Sequence, residues 1–440
     1  MIPIATLSEM RRADALAVAE RGQSTLVSDA GTAVALCARG LLGDCRGRRV
    51  AILVGPGLNG ADGRVAARWL ERRGARVSEI SFDEAPDLLE GYDLVIDAVL
   101  GTGATRPYVA PKVAPDTLVL ALDLPSGVDS DSGALLGSPL RADATIALGA
   151  FKPAHFTGAS AAYVGQLFFS SLSIPVASSD ALVDDRDLDD LMAFSRNDHK
   201  WSHAITALVG SPLMPGAAEL VLRGALAGGA SMIRLASNGH VADQVHLPPE
   251  VVHVEERDVD PRSKAVVAGP GLGADATAWL TGLTNATCPV VLDADGLVRE
   301  FIDANAPRNA SWVLTPHEGE FARLLGRAPS DQRFDEVRAL ASDTGCVVLL
   351  KGPTTVIAHP SGALRVVNSG TATLATAGSG DVLAGLIAAT IARGHEPFEA
   401  AALAAHLHGR AGAALAPYAS ASEIAASLRV LVAHLGAATN

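Results

Sequence analysis

Aromatic residues make up only 4% of this 440-residue chain, cysteine occurs four times, and basic residues number 35 against 48 acidic ones. Each shortage excludes something. With a net charge of −13 and no basic tail or stripe, the chain lacks the phosphate-neutralising surface on which nucleic-acid affinity rests, so no nucleic-acid partner is expected. A small anionic ligand stays open, because helix N-termini and a few local cations hold phosphates on an acidic protein. Cys37, Cys45, Cys288 and Cys346 show no paired spacing and read as reduced, mostly buried thiols of a cytoplasmic protein. No uncharged apolar run reaches the roughly 20 residues that span a bilayer. The opening "MIPIATLSEMRRADALAVAE" carries acidic residues and no long apolar core, unlike a signal peptide. No membrane partner is expected. His199 and His203 lie four apart without an H-E-x-x-H pattern, and His406 and His408 fall in an Ala-rich helical stretch, so neither pair argues for zinc.

What the chain has in quantity is Ala, Gly, Val and Leu, a palette suited to closely packed α/β layers. Apolar runs such as "RVAILVG", "LVIDAVLG", "LVLALDLPSG" and "ATIALGA" alternate with helical stretches in the first half. "ITALVGS", "AVVAGPG", "PVVLDADG", "WVLTPHE" and "CVVLLKG" do so in the second. Continuous runs without polar alternation predict strands buried on both faces, hence parallel sheets. The length predicts two or three domains. The acidic stretch at 178–200 reads as the linker, with a boundary near residue 195, and "SLSIP" before it as the last strand of the first domain. "VGPGLNGADG" at 54–63 and "AGPGLGADA" at 268–276 echo one another only as the common strand, glycine turn and helix unit.

In the first of these turns Gly55, Gly57 and Gly60 follow the dinucleotide spacing G-x-G-x-x-G. An intact nicotinamide cofactor would be held there by backbone N–H groups, with an acidic residue about 20 positions on for the ribose; Glu79 stands near that place. The polar residues point elsewhere. Asn59 and Asp62 follow the first strand, Asp97 and "GTGATRP" the next, Asp123 and Ser126 the third. Asn59, Asp97 and Ser126 are oxygen donors of the kind that hard cations bind. Singly, each is as well explained by a turn or cap, and Asp62 by an N-cap.

The blocks "GPGLNGADGRVAARWL", "DAVLGTGATRP", "LDLPSGVDSDSG" with "LGAFKPAH", and "LVSDAGTAVA" resemble the NAD(P)H-hydrate epimerase family over roughly residues 1–175. The resemblance implies a Rossmann-like three-layer αβα domain and a potassium ion held by Asn59, Asp97 and Ser126. It implies substrate contacts from Leu58, Asn59, Gly60, Ala61 and Asp62, from Gly101, Thr102, Gly103, Ala104, Thr105, Arg106 and Pro107, and from Asp123. Asp123 is the expected acid/base for inversion at a carbinolamine carbon. Lys152 in "FKPAH" reads equally as a neighbour of this site and as a surface lysine. The family's Asn-Asn-Gly-Gly-Asp is altered to Leu58 and Ala61 at its first and fourth positions. Leu58 removes a polar contact. Ala61 adds a Cβ where backbone approaches the ligand or needs positive φ.

In the second half, "TATLATAGSGDVLAGLIAATIARG" sets Gly378 and Gly380 before Asp381. Val382, Leu383, Leu386, Ile387 and Thr390 then trace an apolar helical face that ends near Gly394. Residues 378–380 thus fall at a helix N-terminus, where free N–H groups bind a phosphoryl group, and Asp381 stands where it takes a proton from an attacking hydroxyl. In isolation a capping Asp in a glycine turn explains the same residues. Lys351 at a strand–turn–strand, His317 and Glu318 after another strand, Asp293 and Asp295 two apart, and Gly273 at a further turn all fall at strand ends.

These blocks, with "HKWSHAITALVGSPLMPGAAELVLRGALAGGASMIRLAS", resemble the ADP/ATP-dependent NAD(P)H-hydrate dehydratase family of the ribokinase-like fold, from about residue 199 to 425. The resemblance implies nucleotide contacts from Lys351, Gly352, Pro353, Thr354, Thr355 and Gly380, and hydrate contacts from Ala217, Gly273, His317 and Asp381. Asp381 is the expected base, Mg2+ accompanies ADP or ATP, and phosphorylation of the ring hydroxyl precedes elimination. Trp201 and Ala204 replace the glycines of H-K-G-x-x-G, and Thr354 replaces a glycine of K-G-A-G-T. The expected organisation is α/β throughout, with an epimerase-like domain at 1–195 and a ribokinase-like dehydratase domain at 196–440. The alternative is a vitamin or sugar kinase fused to a non-catalytic nucleotide sensor. Ala-rich helical faces suit subunit packing, so a homo-oligomer is expected. The sequence does not choose between ADP and ATP.

Overall fold

Long apolar runs become central strands in both halves of the computed structural model, which describes residues 1–440 apart from 104, 105, 190, 192–195, 238, 240, 242–244, 246, 439 and 440. Contacts divide the chain into two units, one of residues 2–180 with 331–333 and one of Met1, 181–330 and 334–440.

In the first unit, β1 (Arg49–Val54), β2 (Arg76–Ser81), β3 (Leu94–Ala98), β4 (Leu118–Leu122), β5 (Ala144–Leu148) and β6 (Gln166–Ser170) form one sheet. They are parallel throughout, in the order β6-β5-β4-β3-β1-β2. Helices α1 (Leu7–Arg21), α2 (Gln23–Leu42) and α3 (Leu58–Glu71) accompany it. Ala30, Val34 and Ala38 of α2 and Ala66, Ala67 and Leu70 of α3 pack on the sheet face that carries Val50, Ile52, Ile96 and Leu120. The opposite face, with Ala51, Leu53, Val95 and Ala121, lies under Leu89, Tyr108, Leu140 and Ala142. These belong to segments that hold two short strand pairs, Leu88–Leu89 with Lys112–Val113 and Tyr108–Val109 with Gly137–Ser138. The second covering layer is therefore built, among the described residues, from extended and irregular chain rather than α-helix. Helix α2 is long and apolar enough to cross a membrane, but its apolar side is part of the core of this unit.

Strand β1 lies between β2 and β3, so the chain leaves β1 on one side and returns on the other. The carboxyl ends of β1 and β3 then open a crevice, the usual ligand position in a doubly wound sheet. Two of the turn glycines make this crossing possible. A Cβ on Gly55 would stand 1.8 Å from the Val99 carbonyl oxygen, and one on Gly60 2.0 Å from the Gly55 carbonyl oxygen. A Cβ on Gly57 would meet nothing within 4 Å. Gly60→Ala is expected to destabilise this unit by about 1–3 kcal/mol through overpacking, and Gly57→Ala by much less. Denaturant midpoints of the two variants check this difference.

The segment expected as the last strand, 171–175, is a turn in which Leu172 and Ser173 take φ of 49° and 55°; the last strand is β6, just before it. Part of the expected linker is also structured. Asp180–Leu182 forms β7, and the short 3-10 turn Asp185–Leu188 buries Leu188 in the core of the second unit.

The second unit continues with β8 (Ala204–Leu208), β9 (Met232–Ala236), β10 (Val251–Val254), β11 (Ala265–Ala268), β12 (Val290–Leu292), β13 (Trp312–Leu314), β14 (Val347–Leu350), β15 (Thr355–Ala358) and β16 (Leu364–Val367). Their order is β7-β16-β15-β14-β13-β12-β11-β8-β9-β10. The β14–β15 and β15–β16 pairs are antiparallel, and the other pairs are parallel. Helices α4 (Pro215–Ala227), α5 (Ala276–Leu280), α6 (Arg299–Asn305), α7 (Glu318–Leu325), α8 (Arg333–Thr344), α9 (Ser379–Ala392), α10 (Pro397–Ala413) and α11 (Ala421–Ala438) complete it. Residues of α4, α9, α10 and α11 share one core with alternate residues of the sheet. Helix α9 is buried on nearly every side, as its Val382–Ala392 run of apolar and small residues requires. Because the sheet is mostly parallel, the turns after β11, β12, β13 and β14 open at one edge. Those turns carry Gly273, Asp293, His317 and Lys351.

Candidate functional sites

In the first unit a cavity of about 440 Å³ opens at the crevice beside β1 and β3. Leu58, Asn59, Asp62, Gly101, Thr102, Gly103, Asp123 and Lys152 line it, with Asp14 and Leu26 from α1 and α2. Asp62 does not cap a helix. The N-cap of α3 is Gly57, and Asp62 lies inside the helix, 6% exposed. No hydrogen bond or ion pair reaches its carboxyl group among the described residues. Burial first, and Asp123 second, push its pKa up to about 8. Ala61 is helical, so its Cβ meets no requirement for positive φ. Leu58 is 55% exposed at the cavity rim.

Asn59, Asp97 and Ser126 come together around Leu100. The Asn59 amide donates to the carbonyl oxygens of Leu100 (3.0 Å) and Leu122 (3.2 Å). The Ser126 hydroxyl accepts from the Leu100 N–H at 2.9 Å and donates to Asp97 Oδ1 at 2.6 Å. The Ser126 N–H donates to Asp97 Oδ2 at 2.8 Å. Asp97 is wholly buried, with no cationic side chain beside it among the described residues, and burial raises its pKa. An all-oxygen set around one buried carboxylate fits a hard monovalent cation.

Asp123 takes φ of 68°, a strained value for a residue with a Cβ. Its Oδ1 accepts from Lys152 Nζ and from the Leu148 N–H at 3.2 Å. Lys152 is no surface residue: it is 1% exposed, and its ammonium also donates to the carbonyl oxygens of Leu148 (2.9 Å) and Ala150 (3.0 Å). His155 Nδ1 accepts from the Lys152 N–H at 2.9 Å, which leaves Nε2 protonated to donate to the Asp123 carbonyl at 2.8 Å. Burial, then Lys152, push the His155 pKa down to about 4. Glu79, the candidate ribose ligand, stands on β2 with Arg64 at 3.8 Å and does not line the cavity. Arg106 and Pro107 are exposed and also lie off the cavity lining. Ala104 and Thr105 fall outside the described residues. Asp14 had no signal in the sequence. It is one acidic residue on an exposed helix face, and only the fold carries it to the cavity.

In the second unit the strand ends converge on α9. Lys351 Nζ donates to Asp293 Oδ1 at 2.8 Å and lies 4.0 Å from Glu320 Oε2. Asp293 is 1% exposed. Gly380 sits against this pair: a Cβ there would stand 3.1 Å from Lys351 Nζ and 3.6 Å from Asp293 Oδ2. Gly378, the N-cap of α9, takes φ of 84°. Asp381 follows in the first turn, half-buried, and its pKa is pushed up to about 7 by burial, then by Asp293, with Lys351 opposing. Asp295 Oδ2 accepts from the Gly273 N–H at 2.9 Å, which joins those two predicted positions. Ala217 lies on α4 beside Gly271, where an added Cβ would approach it to 2.8 Å.

His317 caps α7 through Nδ1, which accepts from the N–H groups of Gly319 (3.0 Å) and Glu320 (3.3 Å), and its imidazole stays exposed. Glu320 returns the bond by accepting from the His317 N–H at 2.8 Å. Gly352 and Pro353 are exposed after β14, and the Thr355 hydroxyl donates to the Gly352 carbonyl at 3.4 Å. The Thr354 hydroxyl turns to Asn368 Oδ1, 3.3 Å away. Trp201 and Ala204 stand at the amino end of β8, opposite the strand ends that carry the site; Trp201 stacks on the Arg262 guanidinium at 3.5 Å. Sequence reasoning passed over His408. It is buried on α10 with Nε2 3.3 Å from the Ser379 hydroxyl, and burial, then Lys351, push its pKa down to about 4. Only the packing of α10 on α9 places it there. Among the described residues, no three His, Cys, Asp or Glu side chains converge on one metal position.

The second unit thus joins a mostly parallel sheet covered by helices to a glycine-led helix N-terminus, a carboxylate and a Lys–Asp pair at one end of its strands. The first unit is an open parallel sheet with an acidic pocket at the carboxyl ends of its strands. A family model described as NAD(P)H-hydrate dehydratase matches residues 205–430, and one described as YjeF-related protein N-terminus matches 23–90 and 78–154. The chain is 36% identical over 429 residues to the bifunctional NAD(P)H-hydrate repair enzyme Nnr of Mycobacterium leprae, covering 89% of both chains. It is 38% identical to the protein of that name from Mycobacterium tuberculosis, covering 81% of both. Among solved structures, a ribokinase-like superfamily protein from Enterococcus faecalis matches with a TM-score of 0.54 at 22% identity, covering 59% of this chain and 98% of that one, which shows the fold of the second unit. The chain belongs to the family of bifunctional NAD(P)H-hydrate repair enzymes.

Proposed function

We propose that residues 1–195 interconvert the R and S hydrates of NADH and NADPH, and that residues 196–440 return the S hydrate to NAD(P)H with ADP or ATP, releasing phosphate. The observation that carries the second activity is Asp381 in the first turn of α9, beside the Lys351–Asp293 pair. Lys351, Gly352, Pro353, Thr354, Thr355 and Gly380 bind the nucleotide. Ala217, Gly273 and His317 orient the hydrate. Asp381 takes the proton of the ring hydroxyl as it attacks the phosphoryl group; phosphate then leaves more readily than hydroxide, and elimination restores the dihydropyridine. Mg2+ neutralises phosphate charge when bound, and the carboxylates of Asp293, Asp295 and Glu320 suit an ion that takes one or two protein ligands and phosphate oxygens for the rest. In the first unit Asn59, Asp97 and Ser126 hold potassium, and Asp123 serves the proton transfer. The free thiols fit a reducing, cytoplasmic setting.

A vitamin or sugar kinase with a fused sensor is not favoured, because relatives with the bifunctional name match along most of the chain. The full chain is expected to form NADH and inorganic phosphate from hydrated NADH, assayed in parallel with ADP and with ATP. A stable phosphorylated product without NADH would overturn the proposal.

A further inference from the structure

Three carboxyl groups line one cavity in the first unit, those of Asp14, Asp62 and Asp123; Asp14 is exposed, and the two buried ones have opposite surroundings. Asp123 is paired with a buried ammonium and accepts a backbone N–H. Asp62 is equally buried and has no hydrogen-bond or ionic partner among the described residues. The two basic side chains beside Asp123 are occupied. The three donors of Lys152 go to Asp123, Leu148 and Ala150, and both ring nitrogens of His155 are hydrogen-bonded. Two carboxyl groups in contrasting environments at one site are the usual arrangement of an acid and a base.

We propose that Asp62 is the general acid of the epimerisation and that Asp123, positioned by Lys152, is its general base. This assignment rests on the epimerase reading above. The proton of Asp62 passes to the hydroxyl of the carbinolamine carbon. The C–O bond breaks, water leaves, and the lone pair of the ring nitrogen forms a cationic C=N bond. That cation arises in a pocket lined by Asp14, Asp62 and Asp123, whose charges stabilise it. Water adds to the opposite face, the C–O bond forms again, and the released proton goes to Asp123. Exchange with solvent returns both carboxyl groups to their starting states. One water leaves and one enters, and nothing is oxidised or reduced.

The test uses the full chain, a mixture of both epimers of hydrated NADH, and the nucleotide that supports turnover. NADH forms in a fast phase from the S epimer and a slow phase limited by R-to-S conversion. Asp62→Asn is expected to lower the slow phase by about 100-fold or more and to leave the fast phase unchanged. The wild-type slow phase, corrected for the spontaneous rate, is expected to fall as pH rises through about 8, where Asp62 loses its proton. A loss of less than about tenfold in Asp62→Asn, or a wild-type slow phase that does not fall through that pH, overturns the assignment. The wild-type profile decides if the variant does not fold. A wild-type slow phase no faster than spontaneous conversion removes the epimerase reading itself, and this assignment with it.

Discussion

Asp381→Asn in the full chain is expected to lower the rate of NADH formation from the S hydrate by about 10²–10⁴-fold, the range of a lost general base. Nucleotide affinity is expected to persist, because the N–H groups at the start of α9, proposed above to bind phosphate, and the Lys351–Asp293 pair stay in place. The loss therefore falls on kcat rather than on nucleotide KM. The pH dependence follows from the same surroundings. Burial and the carboxylate of Asp293 raise the Asp381 pKa to about 7. A base acts in its ionised form, so wild-type kcat rises with pH through about 7 and levels off above it. Turnover measured against pH, together with calorimetric titration of the nucleotide into the variant, checks both parts. Retained turnover in Asp381→Asn contradicts its role as base.

Lys152→Met is expected to destabilise the first unit by about 3–5 kcal/mol, the usual effect of stripping one partner from a buried ion pair. The size follows from burial: the Lys152 side chain is 1% exposed and that of Asp123 9%. Without the ammonium, the carboxylate keeps one backbone N–H, and the carbonyl oxygens of Leu148 and Ala150 lose their shared donor. Asp123→Asn strands the lysine instead. The double variant is expected to lose less than the sum of the single changes, because its two sites share one interaction. Denaturant unfolding of the full chain followed by peptide-resolved hydrogen exchange separates the first unit from the second. Equal protection of residues 144–155 in the wild type and in Lys152→Met would refute the pair's structural weight.

Both predictions rest on residues whose types were visible in the sequence and whose surroundings were not. Unbroken apolar runs determined the strands, because a strand covered on both faces has no polar positions to alternate. Gly378 to Asp381 marked the start of α9, because a positive-φ cap and free N–H groups are local properties. The glycine spacing at 55–60 located the β1–α3 turn, although Gly55 and Gly60 are needed there for backbone packing. The rest was decided by sheet order and helix packing. Asp123 follows β4 and Lys152 follows β5, and only their adjacency in the sheet turns an ambiguous lysine into a buried partner. Asp62 was open to a capping role until α3 began at Gly57 and drew it inside. β7 read as linker because its acidic neighbours hide a short strand that pairs with β16, more than 180 residues later in the chain. Burial and ion pairing join distant segments, so the tertiary structure alone set the charge environments of Asp62, Asp123 and Asp381, while the sequence by itself determined which side chains were available for the chemistry.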